Sequence, residues 1–154
     1  MRGTEVPSEL LNGPVTSIIE AVGDSQGWIW RVLMIEPGRS KNGCVYAPEV
    51  LRDAVPLFEG VRAMARNDAD HMARKPGNPR DVIGWFQAVS YREGHGMVGD
   101  FHLTGDADWL RQKMLSAHEA HKDDLLGFSI VADGYGRNVR QDGQVLKVID
   151  RFTR

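Results

Sequence analysis

The sequence predicts a single α+β domain, built on a mainly antiparallel sheet or barrel with helices alongside it. Its 154 residues are close to the length of one typical domain and are enough to bury a core. Between five and seven segments have the apolar, β-branched composition of strands, and most of them follow one another directly. Only two segments have the spacing of helices. Consecutive strands with few helices between them favour antiparallel pairing.

The composition is that of a soluble globular protein, with 42% hydrophobic and 26% charged residues. A net charge of −2 argues against nucleic-acid binding as the main function, which usually needs a basic face. No apolar run approaches the roughly 20 residues that cross a bilayer, and the N-terminus lacks the plan of a secretory signal. The lone Cys44 excludes an internal disulfide and a four-cysteine metal site. We therefore expect neither a nucleic-acid nor a membrane partner.

The first elements are set by proline, glycine and one apolar run. Residues 1–27 contain scattered prolines and glycines around a short apolar stretch, which predicts a partly ordered arm with at most one strand. The domain proper is expected over residues 28–154. Its first strand is predicted from the β-branched and aromatic run at residues 28–35, and residues 38–46 are expected to form a polar loop.

The middle of the chain predicts one helix and three strands. Pro48 stands where a first-turn proline starts a helix, and we expect Pro56 to end it. Residues 61–66 predict a short strand. Residues 82–91 and 97–103 predict two strands joined by a glycine-containing turn.

The last third of the chain predicts a second helix and two more strands. Asp106 is the expected N-cap of this helix. One face of the helix is apolar and is expected to face the core: Leu110, Met114, Ala117 and His121. Strands are predicted at residues 125–132 and 145–152, with a glycine-rich turn at 133–143 between them. All four tryptophans lie in predicted elements and are expected in the core: Trp28, Trp30, Trp85 and Trp109.

Ser129 is a candidate nucleophile because it interrupts an apolar strand directly after Gly127 and Phe128. A serine hydroxyl reacts only when a neighbouring base takes its proton, so an imidazole has to lie close to it. The sequence around Ser129 is not G-x-S-x-G, which excludes the nucleophile elbow of α/β-hydrolases. The alternative for a single buried serine is a structural hydrogen bond to a nearby carbonyl.

His71 is the matching candidate base, since it lies in a loop of mixed charge just before a predicted strand. An imidazole in such a loop can reach a cleft and titrate near neutral pH. Asp70 is not expected to orient it, because neighbours in an extended segment point to opposite sides. The alternative is an ordinary solvent-exposed histidine.

A second pair of histidines suggests a metal site instead. His118 and His121 lie three positions apart near the end of the second helix, whereas the zincin helix motif separates its histidines by four. Because the spacing fixes no third ligand, a cationic helix end is the simpler interpretation. A metal hydrolase that uses both histidines stays open as an alternative.

Three segments of the chain, taken in order, carry a combination of motifs that none carries alone. Residues 30–60 place an Asn-Gly loop before a tyrosine and a proline-started helix. Residues 68–89 hold an Asp-His pair, a basic loop with prolines and a strand starting near Gly-Trp. Residues 124–134 contain Gly-x-Ser. Together the blocks resemble the prohead (capsid maturation) proteases of tailed phages, over about residues 28–152.

This resemblance implies a fold related to the herpesvirus assembly proteases, a mostly antiparallel β-barrel flanked by helices. It implies Ser129 as the nucleophile and His71 as the general base. Relatives complete the site with an acidic or histidine residue held by the final strands, and Asp150 is the best candidate because its strand could lie beside that of Ser129. The oxyanion donors are expected among the backbone N–H groups of residues 134–137. The resemblance implies no cofactor and no metal.

The resemblance also implies a function. It indicates a serine endopeptidase that cleaves scaffold protein and the leader of the major capsid protein inside the phage procapsid, within the host cytoplasm. Members of the family self-associate, so a homo-oligomer is expected. Relatives continue through another strand, so we expect a domain cut short at its C-terminal end by trimming or self-processing. The alternative is a non-catalytic assembly module of the same fold that contacts scaffold or capsid protein.

Overall fold

A computed structural model of the chain describes the backbone of most residues. The described residues are 4–6, 10–11, 18–21, 26–39, 44–65, 79–122, 130–131, 134–141 and 143–152. Among them the strands are, in chain order, β1 (Thr4–Val6), β2 (Leu10–Leu11), β3 (Ile18–Ala21), β4 (Ile29–Ile35), β5 (Gly38–Arg39), β6 (Cys44–Tyr46), β7 (Arg62–Met64), β8 (Val82–Arg92), β9 (Gly96–Leu103), β10 (Ile130–Val131), β11 (Gly134–Gln141) and β12 (Gln144–Phe152). The helices are α1 (Pro48–Phe58), α2 (Asp108–Glu119) and a 3₁₀ turn at Pro79–Asp81.

The strands form two five-stranded sheets and one two-stranded sheet. Sheet I has the order β3-β4-β9-β8-β7 and is antiparallel throughout. Sheet II has the order β1-β11-β12-β6-β5, with one parallel pair, β12 with β6. Strands β2 and β10 pair with each other. The predicted α+β class with a mainly antiparallel sheet is confirmed.

The inner face of sheet I is lined with aromatic rings. Trp30, Phe101 and Phe86 stand in register on β4, β9 and β8 and are all buried. The rings of Phe86 and Phe101 stack with centroids 5.2 Å apart. Strands β8 and β9 lie within one residue of the predicted ranges 82–91 and 97–103.

Helix α1 joins the two sheets, since it packs against β8 and β9 of sheet I and β12 of sheet II. It starts at Pro48 as predicted, but it continues through Pro56 to Phe58. Phe58 is buried and meets the ring of Phe152 edge-on at 5.7 Å. Burial of that ring, about 1.5–3 kcal/mol, offsets the cost of a proline inside the last turn.

Helix α2 differs from its prediction at both ends. Its N-cap is Ala107, which is buried, and not Asp106, which is exposed in the preceding turn. The predicted inward residues Leu110, Met114 and Ala117 are buried. His121, also expected inward, lies beyond the helix in an exposed left-handed conformation, with φ of 56°.

Sheet II was the poorly predicted half of the molecule. The expected turn at residues 133–143 is strand β11, paired with β12 on one side and β1 on the other. Its hydrogen bonds come from those partners, so its glycines do not prevent a strand. The reversal is a two-residue turn between Gln141 and Gln144, and Gly143 adopts the positive φ that such turns require.

The N-terminal third also contains more strands than expected. Within residues 1–27 there are three short strands, β1, β2 and β3, which pair with β11, β10 and β4. The loop predicted at residues 38–46 includes the paired strands β5 and β6. Each of these strands either pairs with a segment far away in the chain or is too short to produce a recognisable pattern of residues.

Candidate active site

Two of the three predicted catalytic residues lie outside the described residues. His71 falls in the undescribed segment 66–78, and Ser129 falls in 123–129. Asp150 lies within β12, where the backbone is described and the side chain is not. Their roles stay predictions. The structure describes the elements that precede and follow them.

The segment that carries His71 starts and ends at neighbouring positions of sheet I. Before it, β7 pairs antiparallel with the first half of β8, with Ala63 opposite Gly84. Ala65 donates its N–H to the carbonyl of Asp81 at 2.8 Å, at the position where the chain enters β8. The two flanks of residues 66–78 are therefore tied to each other.

The start of β7 is itself anchored through Glu59, the residue after α1. Its carboxylate accepts hydrogen bonds from the N–H groups of Ala88 and Val89, each at 2.9 Å. These two residues form a bulge, because β8 has one residue more than β9 between successive register pairs. Ala88 has a φ of 52°, and the carboxylate satisfies donors that the bulge turns out of the ladder. The corner between α1 and β7 is fixed to β8 by this contact.

The segment that carries Ser129 runs from the end of α2 to β10. Lys122 donates its N–H to the carbonyl of Ala117 at 2.7 Å, which closes the helix end. On the other side, Ile130 and Val131 pair with Leu11 and Leu10 of β2. Of the strand predicted at 125–132, the structure describes these two residues as β10.

Asp150 lies at an irregularity of β12. Tyr135 pairs with Arg151 and Gly136 with Ile149, so Asp150 is the extra residue opposite that step. Among the described residues, β12 pairs with β11 and β6, and β10 pairs with β2. Ser129 lies outside the described residues, so its position beside Asp150 stays a prediction. The strand order depends on contacts between distant parts of the chain that the sequence does not reveal. Its place in the site stays a prediction.

The two histidines of the metal alternative have different surroundings. His118, in the last turn of α2, meets the ring of Trp30 edge-on with centroids 5.5 Å apart. His121 is exposed after the helix. Within the described part of the chain, no three His, Cys, Asp or Glu side chains are grouped as metal ligands. Asp123 and Asp124 of the same motif lie outside it.

The outer face of sheet I carries polar and aromatic side chains. Trp85 is 36% exposed and stacks on His102 with centroids 5.2 Å apart, and Arg31 forms an ion pair with Asp100 at 2.9 Å. His102 faces away from the buried Phe101, as neighbours on a strand do. The prediction that Trp85 and Trp109 are in the core is wrong, since Trp109 is 50% exposed. The alternation along β8 contains the missing signal, because a buried Phe86 puts Trp85 on the opposite face.

One pKa shift is resolved among the described residues, and it lies at the start of α2. Hydrogen bonds from Arg111 and, next, from Gln112 lower the pKa of Asp108 below its usual value of 3.8. The guanidinium of Arg111 also lies over the ring of Trp28, 4.9 Å from its centroid, and donates to the carbonyl of Gln26. Arg111 thus ties α2 to the turn that precedes β4.

The fold is similar to that of a solved phage capsid assembly protease. The solved structure of the bacteriophage T4 capsid assembly protease, gp21, matches with a TM-score of 0.51 and 11% sequence identity, over 97% of this chain and 93% of that one. No protein-family model and no curated protein matches the sequence. At this identity the similarity establishes the fold alone. Among the described residues, no helix is both long and apolar enough to cross a membrane.

Proposed function

We propose that this chain is a serine endopeptidase of phage capsid maturation, with Ser129 as nucleophile, His71 as general base and Asp150 as the third residue. The observation that carries the proposal is the fold shared with the T4 capsid assembly protease over nearly the full length of both chains. The three sequence blocks support it independently, since they resemble the same class of enzyme.

In the proposed reaction, Ser129 Oγ attacks the carbonyl carbon of the scissile peptide bond while the imidazole of His71 takes its proton. The tetrahedral intermediate collapses, the C–N bond breaks, and the imidazolium gives its proton to the departing amine. Water, activated by the same imidazole, then hydrolyses the acyl-enzyme and restores the serine. Backbone N–H groups of residues 134–137 are the proposed oxyanion donors. The proposed substrates are scaffold protein and the leader of the major capsid protein, cut by a homo-oligomer inside the procapsid.

The experiment that tests this proposal is labelling with a fluorophosphonate, which reacts with activated serines. We expect one label on the chain, located at Ser129 by mass spectrometry and lost in Ser129→Ala. Ser90→Ala is the matched control, because Ser90 is an exposed serine on β8. His71→Ala should abolish labelling as well. Cleavage of scaffold protein should fall by at least about a thousandfold in Ser129→Ala.

The rival function is a non-catalytic assembly module that keeps the fold and uses it to contact scaffold or capsid protein. It predicts equal, background labelling of the wild type and both serine variants. It also predicts that scaffold protein binds but stays intact. Chelator-sensitive cleavage without serine labelling would instead favour the metal alternative at His118 and His121.

A further inference from the structure

Strand β7 is the last strand of sheet I, and one of its edges is open among the described residues. Toward β8, the carbonyl of Val61 accepts the N–H of Phe86 at 3.0 Å and Ala65 donates to Asp81 at 2.8 Å, with Ala63 in register between them. Backbone groups alternate in direction along an antiparallel strand. The N–H and C=O groups of Arg62 and Met64 therefore point away from β8, toward the open edge.

Exposed apolar side chains lie on the elements next to β7. The described residues include four large exposed hydrophobic side chains: Leu57, Val61, Trp85 and Trp109. Three of these four lie on or beside β7's neighbouring elements. Leu57 lies in the last turn of α1, Val61 directly precedes β7, and Trp85 stands opposite Arg62 on β8. An open edge flanked by apolar side chains is the type of surface to which an extended peptide adds as a further strand.

The charge of Arg62 decides which partner fits. Arg62 is exposed and shares the outer face of sheet I with Trp85. In a second copy paired antiparallel through β7, one register places Arg62 opposite Arg62, which is unfavourable, and the other places it opposite Met64, where its charge gains no partner. A strand that places a carboxylate opposite Arg62 would form a favourable cross-strand pair. The charge of Arg62 thus favours an acidic peptide over a second copy of this chain as the partner of β7.

We propose that the open edge of β7 is the docking strand for an extended acidic peptide segment, which hydrogen-bonds to the backbone of Arg62 and Met64 as a sixth strand of sheet I. This inference rests on the proposed function in that the segment is taken to be part of the protein substrate. Strand β7 leads directly into the segment that carries His71. A peptide that pairs with β7 is therefore bound to the strand that directly precedes the segment of His71, the proposed base.

The test measures binding and not catalysis, and uses the full-length Ser129→Ala protein. The probes are two blocked peptides, one alternating Glu and Thr and the other alternating Lys and Thr. We expect the Glu peptide to slow hydrogen exchange at the amides of Arg62 and Met64, and to bind about threefold more tightly than the Lys peptide. Arg62→Glu should reverse that preference. Absence of protection at both amides overturns the proposal.

Met64→Pro tests the backbone contribution separately. Proline removes the outward N–H and is tolerated on edge strands, so the fold should persist and binding of both peptides should be lost. Met64→Leu, which keeps the N–H, should bind like the parent. Unchanged binding by a folded Met64→Pro protein contradicts the inference.

The two proposals can fail separately. If fluorophosphonate labels Ser129 while the β7 variants cut scaffold protein with unchanged KM, the docking strand is wrong and the peptidase stands. If labelling fails but the Glu peptide still protects β7, the docking strand stands on a non-catalytic module.

Discussion

The hairpins β8–β9 and β11–β12 have the same antiparallel architecture, yet only the first shows fully in its sequence. Strand β8 alternates buried and exposed residues around Phe86 and Val89, and that alternation predicts a strand without knowledge of its partner. Strand β11 contains two glycines, and three of its four described side chains, Arg137, Asn138 and Arg140, are exposed. It is a strand because β12 and β1 bond to its two edges. Sheet I is thus defined by side-chain burial and sheet II, at β11, by backbone pairing.

The largest expected effect tests the burial side of this comparison, at Gly84 in β8. A Cβ at this position would overlap the carbonyl oxygen of His102 and the ring of Phe101, both on the paired strand β9. We expect Gly84→Ala to lower the free energy of unfolding by about 3 kcal/mol, because backbone and a core ring cannot both move aside. Chemical denaturation measures the change.

Gly105→Ala is the matched control for this substitution. Gly105 lies in the turn before α2, no atom lies within 4 Å of an added Cβ, and its φ lies outside the left-handed region. The free energy of unfolding of Gly105→Ala should stay within about 0.5 kcal/mol of that of the parent protein. A similar loss at both positions would mean that close packing between β8 and β9 does not define sheet I.

A smaller effect is expected at the turns of the two hairpins. Gly143 joins β11 to β12 with φ of 76°, and Gly94 joins β8 to β9 with φ of 80°; both have open space around an added Cβ. Each alanine substitution should cost about 1 kcal/mol, from the left-handed backbone alone. Equal losses of stability in the two variants agree with a β11 strand that is stabilised by its hydrogen bonds to β12 and β1. A much larger loss for Gly143→Ala would show that the turn forms β11 and would break the comparison.

The same contrast explains how much of the fold the sequence predicts. Strands β4, β8 and β9 follow from their local apolar composition, and the start of α1 follows from a first-turn proline. The short strands β1, β2 and β5 do not, because each is stabilised by a partner far away or too short to show a pattern. The end of α1 was misplaced for a similar reason: Phe58 finds a distant partner in Phe152, and that contact carries the helix past Pro56.

The candidate site was predicted by motif resemblance and not by geometry. Ser129 and His71 came from short blocks in a fixed order, and their side-chain placement lies outside the described residues. Asp150 is predicted from the position of its strand beside that of Ser129, and the described partners of β12 are β11 and β6. Strand neighbours depend on the whole topology, so a single local segment cannot supply them. The open edge of β7 was missed for the same reason.

The smallest expected effect tests a local signal at the start of α2. The sequence favoured Asp106 as the cap, whereas in the structure Asp108 accepts the hydrogen bonds of Arg111 and Gln112. Because its pKa is lowered in the folded state, Asp108 contributes stability above pH 3.8, and this contribution is lost as the pH falls below that value. Asp108→Asn should therefore be less stable than the parent at neutral pH, by a small amount because exposed ion pairs contribute little. The difference should vanish in acid. Asp106→Ala removes the predicted cap from the adjacent turn and leaves the Asp108–Arg111 contact in place, so a larger loss there would restore Asp106 as the residue that caps the helix.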